Sequence, residues 1–200
     1  MKIKEKPMLD VVSENAEKHY YDLDGTLSTL NSTFDFAHGF LRYKKKYERL
    51  FLGRAIAIFL IYTKKYHPSK SRRLLINIYF KGQKKADLEN YFEKVYCPKF
   101  MDSLTPLGHT LIGNSNSADV LLTGCTEVPA RQIAALFGFR KIICTEFVFK
   151  KEKVRGIKTD TYGNFKAQFI IKEKEKMIYY TDDLASEEDL IPYMDKIVEV

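Results

Sequence analysis

Asp22-Leu23-Asp24-Gly25-Thr26-Leu27 sets two carboxylates either side of one apolar residue, directly after the hydrophobic lead-in His19-Tyr20-Tyr21. The lead-in reads as the end of a buried strand, and Gly25-Thr26 turns the chain immediately afterwards. Alternation along an extended segment points Asp22 and Asp24 to the same side. Crowded carboxylates repel each other, and a fold tolerates them best where a cation or a developing charge sits between them. In that setting one aspartate can act as a nucleophile and become an aspartyl-phosphate while its neighbour carries the proton. Asp-Gly alone is more often a surface turn; the preceding strand and the acidic groups downstream favour the chemical reading.

Such groups need a sheet to hold them. Ala118 to Leu122 predicts a buried strand, Thr123 to Thr126 a turn, and Val128 to Phe137 a helix closed by Gly138. Arg140 to Cys144 predicts the next strand, and Lys176 to Tyr180 a final core strand. Strand, helix and strand in that order imply a parallel sheet covered by helices. The expected fold is therefore α/β, a three-layer, Rossmann-like parallel sheet. Phe147–Phe149 with Val154–Ile157 suggests a small hairpin, Phe165 to Ile171 a helix, and Leu107 to Asn114 a helix end or loop. Between the first strand and this core the pattern is helical. Phe36, Phe40, Tyr43, Tyr47, Leu50 and Phe51 recur every three or four residues, and Ala55 to Tyr62 is apolar nearly all round. After a break at His67-Pro68-Ser69 a helix restarts with Ser69 or Ser71 as N-cap, runs through Phe80 and ends at Gly82; Ala86 to Tyr96 forms another. The expected organisation is a core of residues 1–29 and 101–200 with a helical cap of residues 30–100. Residues 1–18 read as a short amphipathic helix or arm.

In open α/β sheets the working residues lie at the carboxyl ends of the strands. That rule gathers Asp22 and Asp24 with Thr123 and Gly124 at the mouth of a helix, where a hydroxyl and free N–H groups suit a phosphate. It adds Asp182 and Asp183, with Glu187 one turn later. Several carboxylates beside an anion site call for a divalent cation, and all-oxygen ligands suit magnesium, Mg2+. A lysine is then expected to offset phosphate charge. Lys166 is the choice, since Tyr162-Gly163-Asn164-Phe165 reads as a turn opening a helix; Lys141, Lys151 and Lys158 compete with it.

These residues resemble the haloacid dehalogenase-like (HAD) superfamily, in its phosphoserine-phosphatase-like branch (subfamily IB) with a helical cap inserted after the first motif. Residues 22–27 match that family's first motif in full, and Leu-Leu-Thr-Gly at 121–124 matches the second. Tyr-Gly-Asn-Phe-Lys at 162–166 resembles the stretch carrying the third-motif lysine, and Tyr-Tyr-Thr-Asp-Asp at 179–183 the fourth motif. The resemblance implies that Asp22 attacks phosphorus, Asp24 protonates the leaving oxygen and activates water, and Thr123 and Lys166 hold the phosphoryl oxygens. It implies that Asp182 binds magnesium with Asp22, Asp24 and the Leu23 carbonyl, and that Thr26, Gly124 and Cys125 complete the phosphate surround. Thr181 stands where glycine is usual and Ser186 where a second aspartate often falls. Asp183 or Glu187 must then supply the second carboxylate. The expected activity is magnesium-dependent hydrolysis of a phosphomonoester, with a phosphotransferase or a non-catalytic binding protein of the same fold as alternatives.

Composition bounds the rest. Of 200 residues, 45% are hydrophobic and 14% aromatic, enough for a sizeable core. Three cysteines without a Cys-x-x-Cys pair and four scattered histidines argue against disulfides and structural zinc. The charged N-terminus lacks the apolar stretch of a secretory signal, so a cytoplasmic protein is expected. The net charge of +7 favours anionic partners. An aromatic, aliphatic and basic cap leaves a small phosphorylated substrate and a lipid phosphate equally open. Its apolar face edged by lysines suits peripheral contact with an anionic bilayer, and no nucleic acid is expected. Cys125-Thr-Glu-Val-Pro-Ala-Arg131 has the Cys-x5-Arg spacing of cysteine-dependent phosphatases, but Glu127 would repel a phosphate and Pro129 has no N–H to offer it. Oligomeric state is left open by the sequence.

Overall fold

The computed structural model describes residues 17–63, 68–116, 118–170 and 176–200. Six strands form one sheet in the order β4-β3-β2-β1-β5-β6, with β1 Glu17–Tyr21, β2 Val120–Thr126, β3 Lys141–Lys150, β4 Lys153–Thr159, β5 Lys176–Thr181 and β6 Lys196–Glu199. Neighbours from β3 through β6 pair parallel, and only β4 runs antiparallel, against β3. Central β1 lies between β2 and β5. The three strands expected to deliver chemistry are therefore adjacent, and their carboxyl ends share one edge.

Register carries that order into the two faces. Tyr20 stands beside Val120 and Tyr179, and Tyr21 beside Leu121 and Tyr180. Alternation then sends Tyr20, Val120, Leu122, Met177 and Tyr179 to one face, into a small cluster with Ile170 and Leu190. Tyr21 and Leu121 point to the other face, into the main core.

Between β1 and β2 the chain builds α1 Ser32–Tyr43, α2 Tyr47–Thr63, α3 Pro68–Phe80, α4 Lys85–Tyr91, a π-helical turn Phe92–Tyr96, α5 Cys97–Met101 and α6 Pro106–Leu111. The Asn31 side chain caps α1 by accepting from the Phe34 N–H at 3.2 Å. After β2, α7 Glu127–Phe137 closes on Gly138, whose φ of +90° is the left-handed C-cap geometry that glycine adopts without a Cβ penalty. Phe36 of α1, Phe80 of α3, Tyr91 of α4 and Tyr96 share one hydrophobic cluster with Leu23, Leu121, Ile133 and Phe137. The inserted helices and the sheet thus have a continuous core, and the expected boundaries at 29/30 and 100/101 cross it rather than a gap.

Several local expectations are corrected. Residues 123–126 are not a free turn: strand pairing lapses after Leu122 and resumes at Thr126 opposite Thr145, so β2 runs on through an irregularity. Ser69 and Ser71 lie inside α3, because Pro68 already occupies its first turn, where a missing N–H costs nothing. Residues 163–169 form a 3₁₀ helix rather than an α-helix. Lys176–Thr181 is not the last strand, since β6 adds an edge through Ile197 and Val198. The arm expected over residues 1–18 lies almost wholly outside the described residues, as does His67. The hairpin of β3 and β4 is as expected.

Phe36 is the hub of the main cluster. It is fully buried, stacked on Phe40 and Phe80, and met edge-on by Tyr91 and Tyr96 at 5.2 Å. Phe36→Ala should cost about 3–5 kcal/mol in urea unfolding, because the surrounding rings cannot all collapse into the space left. A loss below about 1 kcal/mol would show that α1 is not held by this cluster.

Candidate active site

Asp22 leaves β1 with its N–H donated to the Tyr180 carbonyl at 3.0 Å, which ties the first carboxylate to the end of β5. The chain then turns. Gly25 takes φ +85°, its N–H donates to the Ser28 carbonyl at 2.7 Å, and the Leu27 and Ser28 N–H groups both donate to the Leu23 carbonyl at 3.0 Å. Asp24 Oδ1 accepts from the Ser32 N–H at 2.9 Å, seating that carboxylate at the positive end of α1.

Asp22, Asp24, Thr123, Gly124, Lys166, Asp182, Asp183 and Glu187 all line one cavity of about 500 Å3 at the carboxyl edge of the sheet. Lys166 stands at its floor, only 3% exposed. Its Nζ lies 2.8 Å from Asp22 Oδ1 and 2.9 Å from the Tyr179 hydroxyl, and it donates to Glu187 Oε1. Of the competing lysines, Lys158 is exposed and paired with Glu146, Lys151 sits in the β3–β4 turn, and Lys141 opens β3 at the opposite edge.

The charges shape one another. Burial pushes the Asp22 carboxyl above the usual carboxylate range and the nearby Glu187 and Asp24 add to this, while Lys166 opposes it. Burial likewise raises Asp24, offset in part by its bonds to Ser32. Burial works against the Lys166 ammonium, but the Asp22 and Glu187 carboxylates outweigh it and keep that ammonium charged. The site thus has a buried cation with one carboxyl against it and a second buried carboxyl of raised proton affinity.

Asp182 packs against the turn so closely that a Cβ on Gly25 would lie 1.9 Å from its Oδ2, and its Oδ1 accepts from the Thr26 hydroxyl at 3.1 Å. Thr26 is therefore corrected from a phosphate contact to the residue that orients Asp182. The Leu23 carbonyl is corrected as a metal ligand, because both of its N–H donors come from the turn itself. Asp183 accepts from the Ser186 N–H at 3.2 Å as an N-cap, and Glu187 is held by Lys166, with Oε2 left unpartnered. Both carboxylates thus already have partners within the protein. Among the described residues no three acidic, histidine or cysteine side chains gather closely enough to hold a metal. All of the expected carboxylates line the one cavity, Asp22 and Asp182 directly after the adjacent ends of β1 and β5. That pair still fits magnesium, which binds through one or two carboxylates and keeps waters or substrate phosphate in its other positions.

Cys125 is fully buried and does not line the cavity. Burial, with Asp24 close by, holds its thiol well above the ordinary range, opposite to what a thiolate nucleophile needs. Arg131 is exposed and pairs with Glu127 and Glu146, so the Cys-x5-Arg spacing makes no anion loop.

Arg72 is one of the basic residues of the cap, and in the sequence nothing but its position marks it out. It is 7% exposed, pairs with Asp160 at 3.1 Å, donates to the Gly124 carbonyl and stacks on Tyr162 at 4.7 Å. Arg72 thereby ties α3 to the second motif. Its signal was present: residues 72, 76, 79 and 80 make the buried stripe of α3 at helical spacing, and Arg72 lies on it.

A family model for haloacid dehalogenase-like hydrolases matches residues 20–184. No curated protein sequence matches the chain significantly. Among solved structures, the chain is similar to a protein of unknown function from Bordetella pertussis Tohama I, at 15% identity and TM-score 0.71 over 92% of this chain and 90% of that one. It is similar to a probable phosphoserine phosphatase from Vibrio cholerae, at 10% identity and TM-score 0.63, covering 93% of this chain and 56% of that one. It is also similar to a phosphoserine phosphohydrolase-like protein from Francisella tularensis, at 17% identity and TM-score 0.58, covering 92% and 87%. At these identities the likeness is one of fold, and the chain spans little more than half of the Vibrio protein.

The contact between Gly25 and Asp182 can be measured. Gly25→Ala should destabilise the protein by about 1–3 kcal/mol from backbone strain, with a further loss from the clash. In an Asp182→Ala background the clash term disappears, so the same substitution should cost less. Equal costs in both backgrounds, read by chemical unfolding, would place Asp182 elsewhere.

Proposed function

We propose that this chain, which belongs to the haloacid dehalogenase-like hydrolase family, is a magnesium-dependent phosphatase that hydrolyses a phosphomonoester through an aspartyl-phosphate on Asp22. The observation that carries this reading is the buried Lys166 ammonium 2.8 Å from Asp22 Oδ1. A lysine buried in this way needs anionic partners, and a cavity lined by hydroxyl, glycine and carboxylate groups offers a phosphoryl group as its ligand.

Lys166 holds one oxygen of Asp22 and leaves the other to attack phosphorus. A bond forms from that oxygen to phosphorus as the ester P–O bond breaks, and Asp24 gives its proton to the leaving oxygen. The raised proton affinity of buried Asp24 suits that role. Water then loses a proton to Asp24 and attacks the phosphoryl group, releasing phosphate and restoring both carboxyl groups. Lys166 and the Thr123 hydroxyl face the phosphoryl oxygens and offset the charge that builds on them. Asp22 and Asp182 are the residues that would hold magnesium, which when bound supplies a second positive charge beside the phosphoryl oxygens. Glu187 and Tyr179 position Lys166, and Arg72 holds the Gly124 carbonyl. The cavity, with Phe34, Leu75 and Arg72 in its walls, has room for the phosphoryl group and the adjoining part of its ester.

Hydrolysis of para-nitrophenyl phosphate with and without magnesium tests this. Asp22→Asn should reduce turnover to background, Asp24→Asn should lower it by about 10²–10⁴-fold, and EDTA should stop it reversibly. Full rates in EDTA or in Asp22→Asn would contradict the proposal.

A further inference from the structure

Helix α2 turns an apolar face to solvent. Tyr47, Phe51, Ile58 and Tyr62 recur at helical spacing, flanked by Leu52 and Phe59, and each is between 49% and 89% exposed. Its opposite side packs Leu50, Gly53 and Leu60 inward. A contiguous exposed surface of this kind marks a place where something else binds.

Charge selects what binds. Residues 43–80 contain ten lysines and arginines, of which Arg72 is buried against Asp160, and one acidic residue, Glu48, so the remainder of the segment still exceeds the +7 of the entire chain. Lys44, Lys45, Lys46 and Arg49 stand at the amino end of α2, with Lys64 and Lys65 directly after its carboxyl end in sequence. Two copies meeting over this face would bring like charges together, whereas an anionic sheet attracts this basic segment. Among the described residues no helix is long and apolar enough to cross a membrane, so α2 would lie on such a surface, not through it.

We infer that α2 docks on an anionic lipid surface, its apolar face resting at the headgroup level and its basic amino end on lipid phosphates. Ile61 in its last turn and Pro68 at the start of α3 both line the active-site cavity. Docking therefore turns that cavity toward the headgroups, and its substrate would be a phosphomonoester carried by an amphiphile; that consequence rests on the phosphatase reading above.

Cosedimentation of the full chain with vesicles tests the docking. Partition onto phosphatidylcholine vesicles containing phosphatidylglycerol should exceed that onto phosphatidylcholine alone, and added salt should weaken it. Ile58→Asp with Phe59→Asp, two exposed positions away from the cavity, should lower the partition about tenfold or more. Equal binding to neutral vesicles, no binding, or unchanged binding by the double variant would overturn the inference. So would a dimer in solution that the same substitutions dissociate, since a second copy would then cover the face. Para-nitrophenyl phosphate hydrolysis separates the claims: the double variant should keep the wild-type rate, an active wild-type protein that fails to bind vesicles sinks the docking alone, and vesicle binding by an inert wild-type protein sinks the phosphatase alone.

Discussion

A lysine ammonium with almost no access to water is the constraint around which this protein is arranged. Lys166 can remain charged there only because Asp22 and Glu187 face it, with the Tyr179 hydroxyl as a third partner. Removing either carboxylate would leave a buried charge under-compensated, a defect that costs several kcal/mol. The demand runs outward from there. Asp22 must sit at the end of β1, Tyr179 must point from β5 into the small cluster, and the 3₁₀ segments carrying Lys166 and Glu187 must cover that face together. Strand order and register satisfy all three, because β1 and β5 pair directly with Tyr20 beside Tyr179.

The opposite face answers a different need. The inserted helices supply the aromatic cluster around Phe36 that joins them to α7 and the sheet, and α3 sends Arg72 across to the Gly124 carbonyl and Asp160. One buried guanidinium thus fixes the inserted helices against the second motif. The same insertion leaves α2 apolar and uncovered on its outer side. The roof of the cavity is therefore anchored by α3 and open to other contacts through α2.

Much of this was legible in the sequence, for identifiable reasons. Asp22 and Asp24 were found because two carboxylates around one apolar residue, after a hydrophobic strand and before Gly25, have few other uses. Lys166 emerged from its turn context, and the α/β class from the alternation of apolar runs with helical periodicity. What failed depended on pairing between distant residues. The Lys166–Glu187 pair spans 21 positions, so Glu187 looked like a metal ligand when it is a counterion. The Thr26 hydroxyl is spent on Asp182, 156 positions away, and the Leu23 carbonyl within its own turn, neither of which composition can express. Strand β6 was missed because Ile197 and Val198 alone make too short a run, and β2 looked shorter than it is because Gly124 interrupts its apolar pattern.

The central claim is that the carboxylate held by Lys166 carries the phosphoryl group during turnover. Acid-quenching the protein during hydrolysis of para-nitrophenyl phosphate with magnesium, reducing with borohydride and sequencing the peptides by mass spectrometry tests it directly, since an acyl phosphate is reduced to an alcohol and a free carboxylate is not. The account predicts homoserine at position 22 and at no other aspartate, dependent on added substrate. Steady turnover with an unreduced Asp22, or reduction at Asp24 or Asp182 instead, would contradict it.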